Sequence, residues 1–125
     1  MIKIKIVQTR EFEVDHRIAK YIVKLNNKGY ETDYCCSGHI GKQTGGYISF
    51  NIPTTIFIKQ YMIDAPSKWF FRYYGQRVAL YMDIAPDRTI TKDILYRRLN
   101  KLDKWIDGLP NRTDPYIKIK TRIID

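Results

Sequence analysis

The sequence predicts an α+β fold, a single mostly antiparallel sheet with two main helices packed on one face. Three observations predict it. The chain alternates isoleucine with basic residues at 2–6 and again at 117–123, which is typical of strands with one buried face. Two segments repeat apolar residues at helical spacing, and turn residues separate the remaining short apolar segments. No linker or low-complexity stretch divides the chain, which predicts one domain over residues 1–125.

The first strand and helix follow from alternation and capping. Residues 2–6 predict a half-buried strand. Asp15 is the expected N-cap of a helix over residues 16–28, and Gly29 the residue that ends it. This helix has an apolar stripe beside a basic one. The apolar stripe contains Ile18, Ile22 and Leu25, and the basic stripe contains Arg17, Lys20, Lys24 and Lys28.

The middle of the chain predicts two strands and a segment that fits either a strand or a helix. Strands are expected over residues 30–36 and 47–52, joined by a glycine-rich loop over 37–46. Pro53 ends the second strand. Residues 54–65 fit a strand or a short helix capped by a threonine, and we favour the helix.

The last third predicts a hairpin and the longest helix. Residues 69–74 and 77–84 flank Gly-Gln, a hairpin signal. Thr89 or Thr91 caps a helix that continues to about residue 107. Its apolar residues repeat at i, i+4, i+7 and i+11, the strongest helical pattern in the chain: Leu95, Leu99, Leu102 and Ile106.

The charge balance favours polyanionic partners. The chain has 22 Lys+Arg against 13 Asp+Glu, a net charge of +9 and a pI near 9.6. Nucleic acid or a nucleotide is the expected partner, and the alternative is that the charge only maintains solubility. Neither a span of about 20 apolar residues nor a signal-peptide pattern is found, so we expect a cytoplasmic protein without membrane contact. We expect no cofactor, no metal and no disulfide between the adjacent cysteines.

A basic sheet face is expected if the helices cover the isoleucine side. The last strand, 116–124, would then share an open face with the first strand and with the tyrosines of the middle strands. That face would bind single-stranded nucleic acid or nucleotides, and the alternatives are a solvated face or a homodimer interface. Its residues are Lys3, Lys5, Lys118, Lys120, Arg122, Tyr47 and Tyr81.

Arg98 lies in the same sector of the last helix as apolar residues. An unpaired buried guanidinium is costly, so Arg98 could bind a phosphate or carboxylate with its fork of donors. The interpretation we favour is structural, with Arg98 extending along the apolar surface or pairing with Asp83.

The segment Cys35-Cys36-Ser37-Gly38-His39 is the most specific motif, and it precedes further glycines. Glycines allow backbone N–H groups to approach an anion. One interpretation is therefore a phosphate- or nucleotide-binding loop, although the P-loop order is absent. Its candidate ligand-binding residues are Ser37, Gly38, His39, Lys42, Thr44 and Tyr47.

Three other interpretations of this loop stay open. Cys36 or Cys35 could be a thiolate nucleophile activated by His39, or His39 could act as an acid or base. A zinc site that includes His16 would need four ligands, and the chain has two cysteines and two histidines in all. The plainest alternative is a glycine-rich hairpin with a small buried cysteine.

The segment 32–39, Thr-Asp-Tyr-Cys-Cys-Ser-Gly-His, followed by Tyr-Ile-Ser-Phe at 47–50, resembles a signature of small phage and mobile-element proteins of low-GC bacteria. It is also similar to the Cys-Ser-Gly-Arg segment of the wybutosine-synthesis tRNA methyltransferase family. Cys36, Ser37 and Gly38 match that segment, and His39 stands where the family has Arg. The resemblance implies a basic α+β protein that binds nucleic acid or a nucleotide, and a mobile-element protein could act on a host system.

Three functions follow. The first is a binding protein for a phosphate-bearing ligand, whose charge-driven affinity should fall steeply with salt. The second is an enzyme that acts on nucleic acid or a nucleotide through His39. The third is a protein–protein inhibitor or structural module that contacts a host protein through an aromatic hairpin. That hairpin contains Trp69, Phe70, Phe71, Tyr73 and Tyr74.

Overall fold

The computed structural model describes residues 2–6, 10–14, 16–42, 45–112 and 121–124, with side chains over 16–42 and 45–112. Within these residues the chain forms three helices, which are α1 (Ala19–Asn27), α2 (Ile52–Gln60) and α3 (Lys92–Gly108). The same residues form seven strands. They are β1 (Ile2–Ile6), β2 (Arg10–Val14), β3 (Thr32–Gly38), β4 (Gly45–Phe50), β5 (Trp69–Tyr74), β6 (Arg77–Met82) and β7 (Thr121–Ile124).

The α+β class is confirmed, and the sheets are antiparallel. The strands divide between two sheets where the sequence predicted one. The larger has the order β3-β4-β6-β5 and the smaller β2-β1-β7. β1 has a partner on each edge, β7 and the unpredicted β2, so its backbone hydrogen bonds are satisfied within the smaller sheet. α1 contacts β1 and β7 as well as β3.

The core lies between the helices and one face of the larger sheet. The predicted apolar stripes are confirmed, because Ile22 and Leu25 of α1 and Leu95 and Leu102 of α3 are fully buried. They belong to one cluster with residues of the two central strands. Those strand residues are Ile48, Phe50, Val78 and Leu80. Because neighbouring strand residues point to opposite faces, this packing also fixes which side chains face outward.

The ends of α1 differ in how well the sequence predicted them. The N-cap is Ile18, which makes no side-chain cap bond, and the predicted cap Asp15 lies outside the described residues. Gly29 ends the helix as predicted, with φ +91°. The N–H of Gly29 donates to the carbonyl of Asn26, and that of Tyr30 to the carbonyl of Leu25, both at 2.9 Å. This pair of bonds is a Schellman motif.

The helix over the ambiguous segment is confirmed and begins earlier than expected. Its N-cap is Asn51, whose side chain accepts from the N–H of Thr54 at 2.9 Å, and Pro53 lies in its first turn. The hydroxyl of Thr55 accepts from the N–H of Val78 at 3.0 Å. The threonine that could have been a cap therefore ties α2 to β6.

Two lysines of the expected basic stripe connect α1 to α3. The ammonium of Lys28 donates to the carbonyls of Ile106, Asp107 and Leu109 at 2.6, 3.0 and 2.9 Å, which caps the C-terminus of α3. Lys24 pairs with Asp103 and Asp107 at 2.6 Å each. Hydrogen bonds to these carboxylates raise the pKa of Lys24, and the bond from Lys24 lowers the pKa of Asp107.

The close contact at Gly29 gives a test of how the fold is held together. A Cβ at Gly29 would lie 1.7 Å from the Arg112 carbonyl oxygen, and φ +91° is itself unfavourable for other residues. We expect Gly29→Ala to lower the free energy of unfolding by more than about 1–2 kcal/mol, the cost of the left-handed conformation alone. Chemical denaturation with constant m-value measures it.

Gly108→Ala is the matched control. A Cβ there meets nothing within 4 Å, and alanine favours a helix over glycine by about 0.5–1 kcal/mol. Equal stability of the two variants would contradict the packing of the 110–112 segment against the end of α1.

Candidate nucleic-acid interface

The larger sheet presents its second face on the side away from the core. The register places Tyr47 of β4 opposite Tyr81 of β6, and Tyr81 opposite Phe70 of β5. Their chain neighbours Ile48 and Leu80 point into the core, so these three rings point outward. We call this surface the aromatic face. Its members are Tyr34, Tyr47, Phe70, Arg72, Tyr74 and Tyr81.

Three rings form a continuous stack across the strands. The ring centroids of Tyr47 and Tyr81 are 5.8 Å apart with an interplanar angle of 26°. Those of Tyr81 and Phe70 are 5.7 Å apart at 18°. Near-parallel rings at these distances are offset stacks, a favoured aromatic arrangement. The stack therefore runs perpendicular to the strand direction over β4, β6 and β5.

Arg72 of β5, the end strand of the sheet, provides a positive charge beside the ring stack. Its guanidinium carbon lies 5.3 Å from the ring centroid of Tyr81 and 5.7 Å from that of Phe70, which is the geometry of a cation–π contact. Nearby, Arg77 pairs with Asp33 at 2.6 Å. The arrangement combines stacking surface with a guanidinium that can bind phosphate.

Tyr74 and Tyr81 join their hydroxyl groups by a short hydrogen bond. This bond lowers the pKa of Tyr74, which Arg72 lowers further, and raises the pKa of Tyr81. The two phenols therefore lose their protons as a linked pair, one more easily and the other less easily than an isolated tyrosine.

The face is accessible to a ligand. Tyr34, Tyr74 and Phe70 are 67%, 49% and 38% exposed. Large apolar groups exposed together mark binding surfaces more often than isolated ones do. The smaller sheet contacts α1, so it packs on the helix layer.

Ser37 and Gly38 do not lie at an accessible surface. β3 continues through both residues, and both are buried. A Cβ at Gly38 would lie 3.0 Å from the backbone nitrogen of Gly46. These glycines thus allow two strands to approach closely, and the expected loop is shorter, with Thr44 outside the described residues.

His39 and Lys42 are exposed beside the aromatic face. The loop is held by two backbone bonds, from the N–H of Gly41 to the carbonyl of Ile90 and from the N–H of Ile90 to the carbonyl of Lys42, both 2.7 Å. Cys36 Sγ lies 3.8 Å from His39 Nε2. Cys36 is opposite Tyr47, so the pair stands at one end of the ring stack.

Of the residues that the nucleophile hypothesis requires, the structure brings Cys36 and His39 next to each other. The N–H of Gly38 donates to Cys36 Sγ at 3.4 Å. Over residues 16–42 and 45–112, Cys36 is the one side chain hydrogen-bonded to His39, so this region does not supply a third residue that orients the imidazole, as a triad requires. Cys35 packs against the core.

Arg98 has the structural role that we favoured, with a different partner. Its Nε donates to the carbonyl of Asp83 at 3.0 Å rather than to the carboxylate. The indole N–H of Trp69 donates to the carbonyl of Arg98 at 3.0 Å. These bonds attach α3 to the end of β6 and to the start of β5.

The terminal strands do not share a sheet with Tyr47 and Tyr81, so the expected basic face is divided. Lys3, Lys5 and Arg122 belong to the smaller sheet, and Lys118 and Lys120 lie outside the described residues. In the register a glutamate is opposite each lysine of β1, Glu13 opposite Lys3 and Glu11 opposite Lys5.

The aromatic face contains residues that the sequence analysis missed as ligand contacts: Tyr34, Phe70, Arg72 and Tyr74. The alternation in the sequence could have identified them, because these residues alternate with the apolar core residues of their strands and therefore point to the opposite face. The predicted aromatic hairpin divides in the same way, with Trp69 buried and Phe71 half-buried.

The described side chains include no group of three or more His, Cys, Asp or Glu that could hold a metal. In the described part of the chain, no helix has the length and apolar character needed to cross a membrane.

The linked phenols give a direct test of the face. In Tyr81→Phe, Tyr74 loses its main hydrogen bond, so we expect its pKa to rise toward that of an ordinary tyrosine. Titration of phenolate absorbance, or NMR of labelled tyrosine, measures this change. Tyr96→Phe is the control because Tyr96 is an exposed tyrosine of α3. If the pKa of Tyr74 in Tyr81→Phe stays as low as in the parent protein, the hydrogen bond between the two hydroxyl groups is contradicted.

Comparisons with protein-family models, with curated proteins and with solved structures found no match to this chain.

Proposed function

We propose that the protein binds single-stranded nucleic acid through the aromatic face of its larger sheet. The observation that carries this proposal is the stack of Tyr47, Tyr81 and Phe70 under the guanidinium of Arg72. Aromatic rings supply stacking surfaces to bases of any sequence, and arginine supplies a phosphate contact.

The shape of the face favours a single strand. A base must leave its own stack before it can cover a protein ring, and bases in loops and single strands do so at low cost. The face of a four-stranded sheet also presents no helix that could enter a major groove. The ligand is therefore an unpaired segment of RNA or DNA, or a nucleotide of the same chemistry.

The overall charge supports the proposal in a different way from the contacts. A net charge of +9 attracts polyanions and accelerates their approach. On the face itself Arg72 is the cation that contacts the ring stack, and Arg77 is paired with Asp33. Stacking should therefore contribute more to affinity than phosphate contacts, and the salt dependence should be shallower than the net charge suggests.

Fluorescence anisotropy with fluorescein-labelled oligo(U) and oligo(dT) 12-mers tests the function. Stacking is worth about 1–3 kcal/mol per base, so Tyr47→Ala and Phe70→Ala should each weaken binding about 5- to 150-fold. Tyr96→Ala should bind as the parent does, because Tyr96 is 51% exposed on α3. A duplex 12-mer should bind more weakly than either single strand.

The salt dependence of binding distinguishes a phosphate contact made by Arg72 from the general effect of the net charge. Each phosphate neutralised on a single strand contributes about −0.7 to the slope of log K against log salt, so Arg72→Gln should make the slope shallower by about that amount. Arg97→Gln removes the same charge from α3, where Arg97 pairs with Asp93 at 3.2 Å, and should leave the slope unchanged. Unmeasurable binding at low salt, or equal loss in Tyr96→Ala and Tyr47→Ala, would refute the proposal.

A further inference from the structure

We propose that two copies of the chain pair through the outer edge of β5 and form a dimer with one continuous sheet. The proposal does not depend on nucleic-acid binding. It rests on the position of β5 at the end of the sheet order, on its sequence Trp-Phe-Phe-Arg-Tyr-Tyr, and on a register in which that sequence is complementary to itself.

Within the described residues, β5 has neither a bulge nor a proline to protect it as an edge strand. Proteins protect edges with bulges, prolines, charges or covering segments. The pairing of β5 with β6 is uninterrupted over six residues, and Arg72 is the one charged residue of the strand. The opposite edge, β3, has a register shift between Thr32 and Tyr34 and carries Asp33 in an ion pair. Among the described residues no backbone bond outside the sheet uses Phe71 or Tyr73 of β5, so of the two edges of this sheet β5 is the one available for pairing.

The backbone geometry identifies the groups that face outward. Tyr74 and Arg77 close the two-residue turn at Gly75-Gln76, so the backbone groups of Tyr74 point toward β6. In an antiparallel ladder this orientation alternates. Phe71 and Tyr73 therefore direct their N–H and C=O groups to the outer edge, while the N–H of Trp69 donates to the carbonyl of Pro66 at 3.0 Å.

A two-fold axis perpendicular to the sheet keeps the aromatic faces of both copies on one side. The axis can pass through Phe71 or through Arg72 while the outward groups stay matched. An axis at Arg72 places the two Arg72 residues opposite each other, and like charges in that position destabilise a sheet. An axis at Phe71 instead places Arg72 of each copy opposite Phe70 of the other.

The register centred on Phe71 is therefore favoured over the one centred on Arg72, because it avoids opposed like charges and forms better side-chain contacts. It forms two cross-strand arginine–aromatic pairs in positions where opposed side chains are closest. Within each copy Arg72 already lies 5.7 Å from the Phe70 ring centroid, so the interface repeats a contact that the fold makes. The partner is a second copy of this chain, because in this register the sequence of β5 is complementary to itself, and a two-fold interface uses the same surface of both copies.

Sedimentation velocity over a dilution series tests the pairing. The parent should change from 14.9 kDa to about twice that mass as concentration rises through the micromolar range. Tyr73→Pro removes an N–H that points to the outer edge and makes no bond to β6, and edge strands tolerate proline at such positions. This variant should weaken dimerisation at least tenfold. Tyr73→Ala is the matched control, since it keeps the N–H and removes the ring, and should remain a dimer.

Hydrogen exchange provides a measurement that needs no variant. The amides of Phe71 and Tyr73 should exchange more slowly at high than at low protein concentration, while those of Phe70 and Arg72 should not change. A parent that stays monomeric at every concentration would overturn the proposal. A Tyr73→Pro variant that folds and dimerises normally would also overturn it. The same holds if the exchange of the edge amides does not depend on protein concentration, even where an added extended peptide protects these amides, because the edge would then pair with another chain and not with a second copy.

Discussion

The whole arrangement depends on the burial of one face of two central strands. Ile48, Phe50, Val78 and Leu80 are fully enclosed by the helices, and the hydrophobic free energy of that burial fixes their orientation. Since the side-chain period of a strand is two, a shift of one residue would exchange every buried group for an outward one. Core packing thus also places Tyr47 and Tyr81 side by side on the open face.

Polar contacts then hold the helices over that core. The ammonium of Lys28 satisfies three carbonyls at the end of α3, and Lys24 pairs with Asp103 and Asp107. Tyr30 donates to the carbonyl of Pro110 at 2.8 Å, and burial raises its pKa to about 12. The basic side chains of α1 that could have formed a patch for a ligand are used instead to join two helices. A net charge is therefore a weak guide to where a polyanion binds.

The aromatic face and the β5 edge are two consequences of one hairpin. Within β5, alternate side chains enter the core or join the stack, while alternate backbone groups face β6 or the outer edge. β5 carries part of the aromatic face and is also the end strand of the larger sheet, so this face and this edge border each other. A dimer formed at this edge would place two stacks on one surface, and a bound strand could then extend from one copy to the next.

The sequence by itself determined most of the local structure. Alternation predicted β1, helical spacing predicted the stripes of α1 and α3, and the Gly-Gln turn signal predicted the β5–β6 hairpin, because these patterns depend on neighbours a few residues apart. It also predicted that Gly29 ends α1 and that Tyr47 and Tyr81 lie opposite the apolar positions of their strands.

The tertiary structure alone decided what lies beside what. It separated β1 and β7 from the strands that carry the tyrosines, and it buried Ser37 within β3. It also gave Arg98 the carbonyl of Asp83 as its partner and brought Arg72 over the ring of Tyr81 in the neighbouring strand. Such contacts join different strands and helices, and their choice depends on how all of these elements share one core. A local pattern records which face of a strand is buried, but not which strand becomes its neighbour.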